Sequence, residues 1–162
     1  MRSIVSHKLR VPVILVSLAV FASMVYSHCQ IPCGIYDDPA RFVTLAEHIA
    51  TIEKSVNQIN ELSQENKPNF NQIVRWVQNK DAHADELSEI VTYYFMAQRV
   101  KPVGGSDGPA YQKYIRQLTL LHEMLVYSMK AKQTTDLANV EKLRTLLAEF
   151  RAAYLGESGQ KR

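Results

Sequence analysis

The sequence predicts an all-α protein, an antiparallel four-helix bundle preceded by an N-terminal segment of a different kind. Apolar residues recur at steps of three and four through four long stretches, which is the spacing of one face of a helix. No stretch alternates apolar and polar residues with the period of two that marks a strand. Glycine and proline, with six of each, cluster at a few places where turns would join helices.

The first predicted helix begins at Asp38-Pro39, with Asp38 as the capping carboxylate and Pro39 at the first helical position. The second runs from about Phe70 to Val100, and the polar run 79–81 could interrupt it. Residues 66–69 (Asn-Lys-Pro-Asn) separate the two. The expected core residues of these helices are Phe42, Leu45, Ile49, Ile52, Val56, Ile59 and Leu62, then Ile73, Val77, Ala84, Leu87, Val91, Tyr94 and Phe95.

A loop rich in glycine and proline at 101–109 precedes a third helix, predicted over 110–131. A fourth helix starts near Thr135-Asp136 and stops near Gly156. The expected core residues here are Tyr114, Leu118, Leu121 and Leu125, then Leu137, Val140, Leu147, Phe150 and Tyr154. Because short connections favour antiparallel neighbours, these four amphipathic helices predict a bundle whose apolar stripes form the core.

Residues 1–27 have the layout of a cleaved leader: basic residues without an acid, an apolar run over 11–25, and a small residue, Ser27, at the exit. The run is shorter than the ~20 residues of a spanning helix, so we expect cleavage after Ser27 and no stable membrane anchor afterwards. An uncleaved signal anchor is the alternative. The predicted organisation is a leader at 1–27, a metal-binding segment at 28–36 and a helical bundle at 37–162.

The leader also accounts for the charge of the chain. The whole sequence carries +3, but removal of Arg2, Lys8 and Arg10 leaves 16 basic and 16 acidic residues. The apparent basicity therefore gives no support for nucleic-acid binding. The leader favours export to a periplasmic or extracellular compartment after a leader peptidase has acted, with a cytoplasmic protein that uses the leader only for processing as the alternative.

Residues 28–36 (His-Cys-Gln-Ile-Pro-Cys-Gly-Ile-Tyr), called the hook from here on, concentrate metal-binding groups. After cleavage His28 would offer a free α-amine and an imidazole, and Cys29 and Cys33 would offer thiolates. The amine, the deprotonated backbone nitrogen of Cys29 and its thiolate would form two fused chelate rings. Pro32 and Gly34 favour a tight turn that returns Cys33 to a fourth position.

A planar set of two nitrogens and two sulfurs favours nickel(II) or copper(II) over tetrahedral zinc. Thiolate and amidate donors also favour the higher oxidation state, so the site suits one-electron cycling. A disulfide between Cys29 and Cys33 is the ordinary alternative for an exported protein, although it would close a very short loop and stabilise little.

The hook resembles the nickel-binding hook of nickel-containing superoxide dismutases, whose pattern is H-C-x-x-P-C-G-x-Y. The resemblance extends from 28 to about 155 through Asp38-Pro39, Tyr94-Phe95 and Lys101-Pro102. It implies a four-helix bundle, one nickel ion per subunit, superoxide as the substrate and assembly as a homohexamer.

The resemblance also implies a role for each matching hook residue. His28 would supply the amine and an axial imidazole, Cys29 its backbone nitrogen and thiolate, and Cys33 the second thiolate. Pro32 would hold the turn through a cis peptide bond. Tyr36 would stand at the access channel and order water or small anions.

Outside the hook, Lys101 would draw the anionic substrate inward. In the family an acid on the first helix and an arginine on the second orient the hook histidine. Thr44 falls where the acid is expected, Glu47 lies one turn later and could substitute for it, and His83 lies near the position of the arginine.

A second metal site is not predicted, because His48, His83 and His122 lie on separate segments without ligand spacing. The sequence is interpreted as a superoxide dismutase that cycles nickel between +2 and +3. Two alternatives stay open: an exported helical protein that stores or senses nickel or copper without turnover, and an interaction bundle with a terminal disulfide.

Overall fold

The computed structural model describes residues 32–105 and 107–156. Four long helices make up the bundle: α1 (Asp38–Ser63), α2 (Phe70–Glu89), α3 (Pro109–Gln133) and α4 (Leu137–Leu155). Directly after α2 the chain continues into a π-helical segment, Ile90–Arg99. Since the described residues contain no strand, the predicted all-α class is confirmed. Contacts divide the chain into two units at the boundary between Tyr36 and Asp37.

Each helix packs against its neighbour in the chain, and α1 and α4 close the bundle. Hydrogen bonds between helices show that neighbours run antiparallel. Near the end of α1, Asn60 donates to the carbonyl of Thr135, just before α4. Near the start of α3, Gln117 donates to the carbonyl of Ala153 near the end of α4. No helix in 32–105 or 107–156 combines the length and apolar character needed to cross a membrane.

Asp37, and not Asp38 as predicted, caps α1. The Asp37 carboxylate accepts a hydrogen bond from the backbone N–H of Ala40 at 3.0 Å. Asp38 is the first residue of the helix itself. The sequence prediction was wrong by one residue because two aspartates precede Pro39, and Asp38 is held by side chains from other helices.

The remaining helix boundaries follow the predicted punctuation closely. Asn69 caps α2 by accepting from the N–H of Gln72, and Asp136 caps α4 by accepting from the N–H of Ala138. Helix α3 begins at Pro109 without a side-chain cap. Gly156 ends α4 with φ +72°, a left-handed conformation that glycine adopts readily.

The polar run 79–81 does not interrupt α2, because Lys80 is buried and fully bonded. Its side chain is 2% exposed, and its ammonium donates to the carbonyls of Ala131 and Lys132, each at 2.6 Å, and to Asp81 at 2.9 Å. Carbonyls in the last turn of a helix have no partner within that helix. Lys80 therefore supplies donors to the C-terminal end of α3.

Six of the seven core residues predicted on α1 are buried and Leu62 is half-buried; the six are Phe42, Leu45, Ile49, Ile52, Val56 and Ile59. On α2 and α4 the prediction was wrong at Val77 and Leu137, which are exposed, while Ile73 and Tyr154 are half-buried. On α3 the buried face is turned relative to the prediction, so that Leu118 and Leu125 are only half-buried. The buried residues of α3 are Gln117, Leu120, Leu121, Met124, Ser128 and Ala131.

The π-helical segment places consecutive aromatic residues in the core. Tyr94 and Phe95 are 3% and 0% exposed. At its end the N–H of Val100 donates to the carbonyl of Phe95 at 2.8 Å, five residues back. Phe95 packs edge-on against Phe150 with ring centroids 4.9 Å apart. The segment thus packs on α4.

A hydrogen-bonded cluster around the Asp38 carboxylate, called the Asp38 cluster, joins this segment to both α1 and α4. Arg99 donates through Nε at 2.8 Å and Nη2 at 2.6 Å. Tyr94 donates at 2.6 Å and Tyr154 at 2.9 Å. Burial would raise the pKa of Asp38, but the hydrogen bonds from Arg99 and the two tyrosines outweigh it and hold this pKa below 3.8. Burial and the bond to Asp38 raise the pKa of Tyr154 to about 12.

Because the pKa of Asp38 is lower in the folded chain, its contribution to stability is present above the pKa of the unfolded carboxyl, about 3.9, and is lost as the pH falls through the folded value. We expect Asp38→Asn to lower the free energy of unfolding at pH 7 by about 1–3 kcal/mol. The difference from wild type should shrink as the pH falls below about 4. Urea unfolding of both proteins at several pH values measures this difference in the free energy of unfolding.

The control for this prediction is Glu65→Gln, which removes the same charge at an exposed position. Its effect on unfolding should stay small throughout the pH range. A difference between wild type and Asp38→Asn that did not change with pH would contradict the role given to the carboxylate.

Candidate metal centre and its surroundings

The described part of the hook, residues 32–36, forms the tight turn that the sequence predicts. The N–H of Ile35 donates to the carbonyl of Pro32 at 3.2 Å. Gly34, the third residue of the turn, has φ +76°. A type II turn requires a positive φ at this position, which glycine supplies without steric cost. Cys33 is the second residue of the turn and is exposed.

The other predicted ligands, His28 and Cys29, lie outside the described residues, as does the peptide bond before Pro32. Metal binding by these residues and the cis bond therefore stay predictions. Tyr36, the last residue of the hook, is 39% exposed.

The bundle begins immediately after the hook, at two aspartates whose carboxylates both accept hydrogen bonds. Asp37 caps α1, and Asp38 carries the hydrogen bonds from Arg99, Tyr94 and Tyr154. The chain therefore enters the bundle at a point fixed by three separate segments.

Lys101 lies exposed in the loop between the π-helical segment and α3. It follows Arg99 by two residues, and Arg99 is bound to Asp38. The Asp38 cluster therefore sets the position of the segment that leads into Lys101. The loop turns at Gly105, where φ is +88°.

The two residues predicted to orient the hook histidine, Glu47 and His83, lie on α1 and α2 and flank His48. Glu47 is exposed and precedes His48 in the chain. The Nδ1 atoms of His48 and His83 lie 2.8 Å apart, so one ring donates to the other. The Thr44 hydroxyl donates to the carbonyl of Ala40 within its own helix at 3.0 Å, so it does not replace an acid.

Glu86 completes a cluster with this histidine pair. Its Oε2 lies 3.4 Å from Nδ1 of His48 and 3.6 Å from Nδ1 of His83. Burial lowers the pKa of His48 below 6.5, and the nearby His83 ring acts in the same direction. The charges of Glu86 and Glu47 oppose this shift without cancelling it. His48 is therefore neutral near pH 7.

No second metal cluster was predicted from His48, His83 and His122, because they lie on separate segments without ligand spacing, but the first two do meet in the fold. The antiparallel pairing of α1 and α2 brings His48 and His83 together, although they are 35 residues apart in the chain. His122 lies exposed on α3 and is not part of the cluster. Glu86 was not predicted to join a cluster, although its spacing of three from His83 places the two side chains on one face of a helix.

A comparison with protein families gives a match over residues 23–158 to the family described as nickel-containing superoxide dismutase. The matched range includes the hook and all four helices. Among curated proteins and solved structures nothing matches the chain significantly.

Proposed function

Because the chain belongs to the nickel-containing superoxide dismutase family, we propose that it uses the hook to hold one nickel ion per subunit, which alternates between +2 and +3. The chain is an oxidoreductase whose substrate is superoxide. The observation that carries the proposal is the match over residues 23–158, which spans hook and bundle together. In the overall reaction two superoxide ions and two protons give one molecule of oxygen and one of hydrogen peroxide.

The donor set of the hook fits nickel. His28 would provide its α-amine and ring, Cys29 its backbone nitrogen and thiolate, and Cys33 a second thiolate. The Pro32–Ile35 turn supports this assignment, because it presents Cys33 at an exposed position next to a glycine with positive φ. Nickel held by these donors would supply a one-electron redox couple.

The protein then has to attract an anion, admit it and deliver protons. Lys101 would attract superoxide through its positive charge, and its exposure in the loop supports this role. The Tyr36 hydroxyl would hold water or superoxide by hydrogen bonding and so keep a proton donor close to the hook. Glu47 and His83 would orient the ring of His28.

The proposed chemistry needs cleavage after Ser27, since only then does His28 have an α-amine. A leader peptidase would make this cut, and the leader would direct the chain out of the cytoplasm. If the leader serves processing alone, the enzyme would act in the cytoplasm instead.

We also propose that the chain assembles as a homohexamer. Apolar side chains exposed along α2 support an assembly: Phe70 is 70% exposed, Val74 53% and Val77 36%. Their spacing of four and three places them on one side of the helix. Such a stripe on a surface helix is typical of contact with another protein.

The requirement for a free α-amine at His28 can be tested with two chains that differ by one residue. A chain that starts at His28 should bind nickel and remove superoxide, whereas one that starts at Ser27 should lose at least about tenfold in activity, since the amine becomes a peptide nitrogen. Stopped-flow decay of superoxide and nickel content measure both. Equal activity of the two chains would overturn the proposed ligand set.

The turn in the hook gives a second prediction. Gly34→Ala places a side chain at φ +76°, which costs about 1–2 kcal/mol and should weaken nickel binding about 5- to 30-fold. Gly104→Ala is the matched control, because that glycine also has open space around its Cβ position but no positive φ. Competition with a nickel chelator measures the affinities. A Gly34→Ala chain with the affinity of the control would show that the turn does not limit binding.

The proposed role of Lys101 gives a third prediction. Lys101→Gln should lower kcat/KM about three- to tenfold at low ionic strength without changing the nickel content, and the loss should shrink as salt is added. Lys113→Gln, which removes an exposed charge from α3, serves as the control. Equal, salt-independent rates for both variants would remove Lys101 from the site.

A further inference from the structure

His48, His83 and Glu86 place three possible metal ligands within 4.8 Å of one another between α1 and α2. None of the three is a predicted nickel ligand, although His83 is also proposed to orient the ring of His28. The three ligand atoms form a triangle with sides of 2.8, 3.4 and 3.6 Å. Two imidazoles and one carboxylate are a ligand set that zinc uses in sites that keep a fourth position for water.

The size of this triangle distinguishes between coordination geometries. With bonds of about 2.05 Å, ligand atoms are separated by about 3.3 Å at a tetrahedral ion and by about 2.9 Å at an octahedral one. The two distances from Oε2 of Glu86, 3.4 and 3.6 Å, are close to the tetrahedral value, whereas the 2.8 Å between the Nδ1 atoms is a hydrogen-bond distance that would lengthen by about 0.5 Å when the ion binds. An ion could therefore contact all three atoms with little movement of either helix.

The three side chains differ in how far they are exposed to solvent. The His48 side chain is 11% exposed, that of His83 30% and that of Glu86 57%. The buried histidine fixes the inner corner of the triangle, and the exposed carboxylate leaves room for water as a fourth ligand. The charge of Glu86 offsets part of the charge of a divalent cation.

Without a metal, the short distance between the Nδ1 atoms requires one ring to carry its proton on Nδ1 and the other to accept it. Metal binding needs the lone pairs of both Nδ1 atoms. The donor ring would then release its Nδ1 proton to water and take one up at Nε2, so that both rings stay neutral and no net proton is lost. The change of tautomer gives the site a spectroscopic signature.

We infer that His48, His83 and Glu86 form a second metal site, which binds zinc in tetrahedral coordination with water as the fourth ligand and clamps α1 to α2. The hydrogen bond between the two rings holds these ligands in place when no ion is bound. Zinc at this site supports the fold and takes no part in electron transfer, because it has no accessible second oxidation state.

The test uses the full mature chain with Cys29→Ser and Cys33→Ser, so that the hook thiolates cannot take up zinc. This chain should bind one zinc ion, and its His83→Gln derivative should bind it at least about a hundredfold more weakly, since the loss of a ligand exceeds the 10- to 100-fold effect of an outer partner. Metal analysis after dialysis and competition with a chromophoric chelator give stoichiometry and affinity.

His122→Gln in the same background is the matched control, because it removes an exposed histidine outside the cluster. It should leave zinc affinity unchanged. Glu86→Gln, at an exposed position, tests the third ligand without risk to the core. Nitrogen NMR of the histidine rings should show both Nδ1 atoms metal-bound when zinc is added. A thiol-free chain that binds no zinc, or that binds it equally well after His83→Gln, would overturn the inference.

Discussion

The carboxylate of Asp38 is the constraint on which the rest of the structure depends. It accepts hydrogen bonds from Arg99, Tyr94 and Tyr154, and so ties the first residue of α1 to the π-helical segment and to the end of α4. Its side chain is only 15% exposed, which makes the charge costly unless these donors stay in place. The same residue lies two positions after the hook, so the chain enters the bundle next to this cluster.

The π-helical segment supplies two of the three side chains that donate to this carboxylate, Tyr94 and Arg99. Here Tyr94 and Phe95 are both buried, one bonded to Asp38 and the other packed on Phe150. Arg99, in the last turn of the segment, then reaches the same carboxylate.

The residues proposed to bind nickel and the residues that form the core lie in different parts of the chain. The proposed nickel ligands come from six consecutive residues at a new chain terminus, whereas the bundle supplies a fixed attachment point, a lysine in an exposed loop and a buried core. The histidine pair between α1 and α2 belongs to the bundle, and its ligand atoms come from two helices. One candidate metal site is therefore local in the chain, and the other exists only because the chain folds.

The contrast between a site made of neighbouring residues and a site made of distant ones explains which features could be predicted from the sequence. The sequence by itself determined the helical class, the turn at Pro32–Gly34 and the family, because periodic apolar residues, turn residues and a contiguous motif act over short distances along the chain. It did not reveal the capping role of Asp37, the burial of Lys80, the π-helical turn or the meeting of His48 with Glu86 and His83. Tertiary packing decided these, because each depends on which faces of distant helices meet, and neither helical spacing nor residue type specifies that choice.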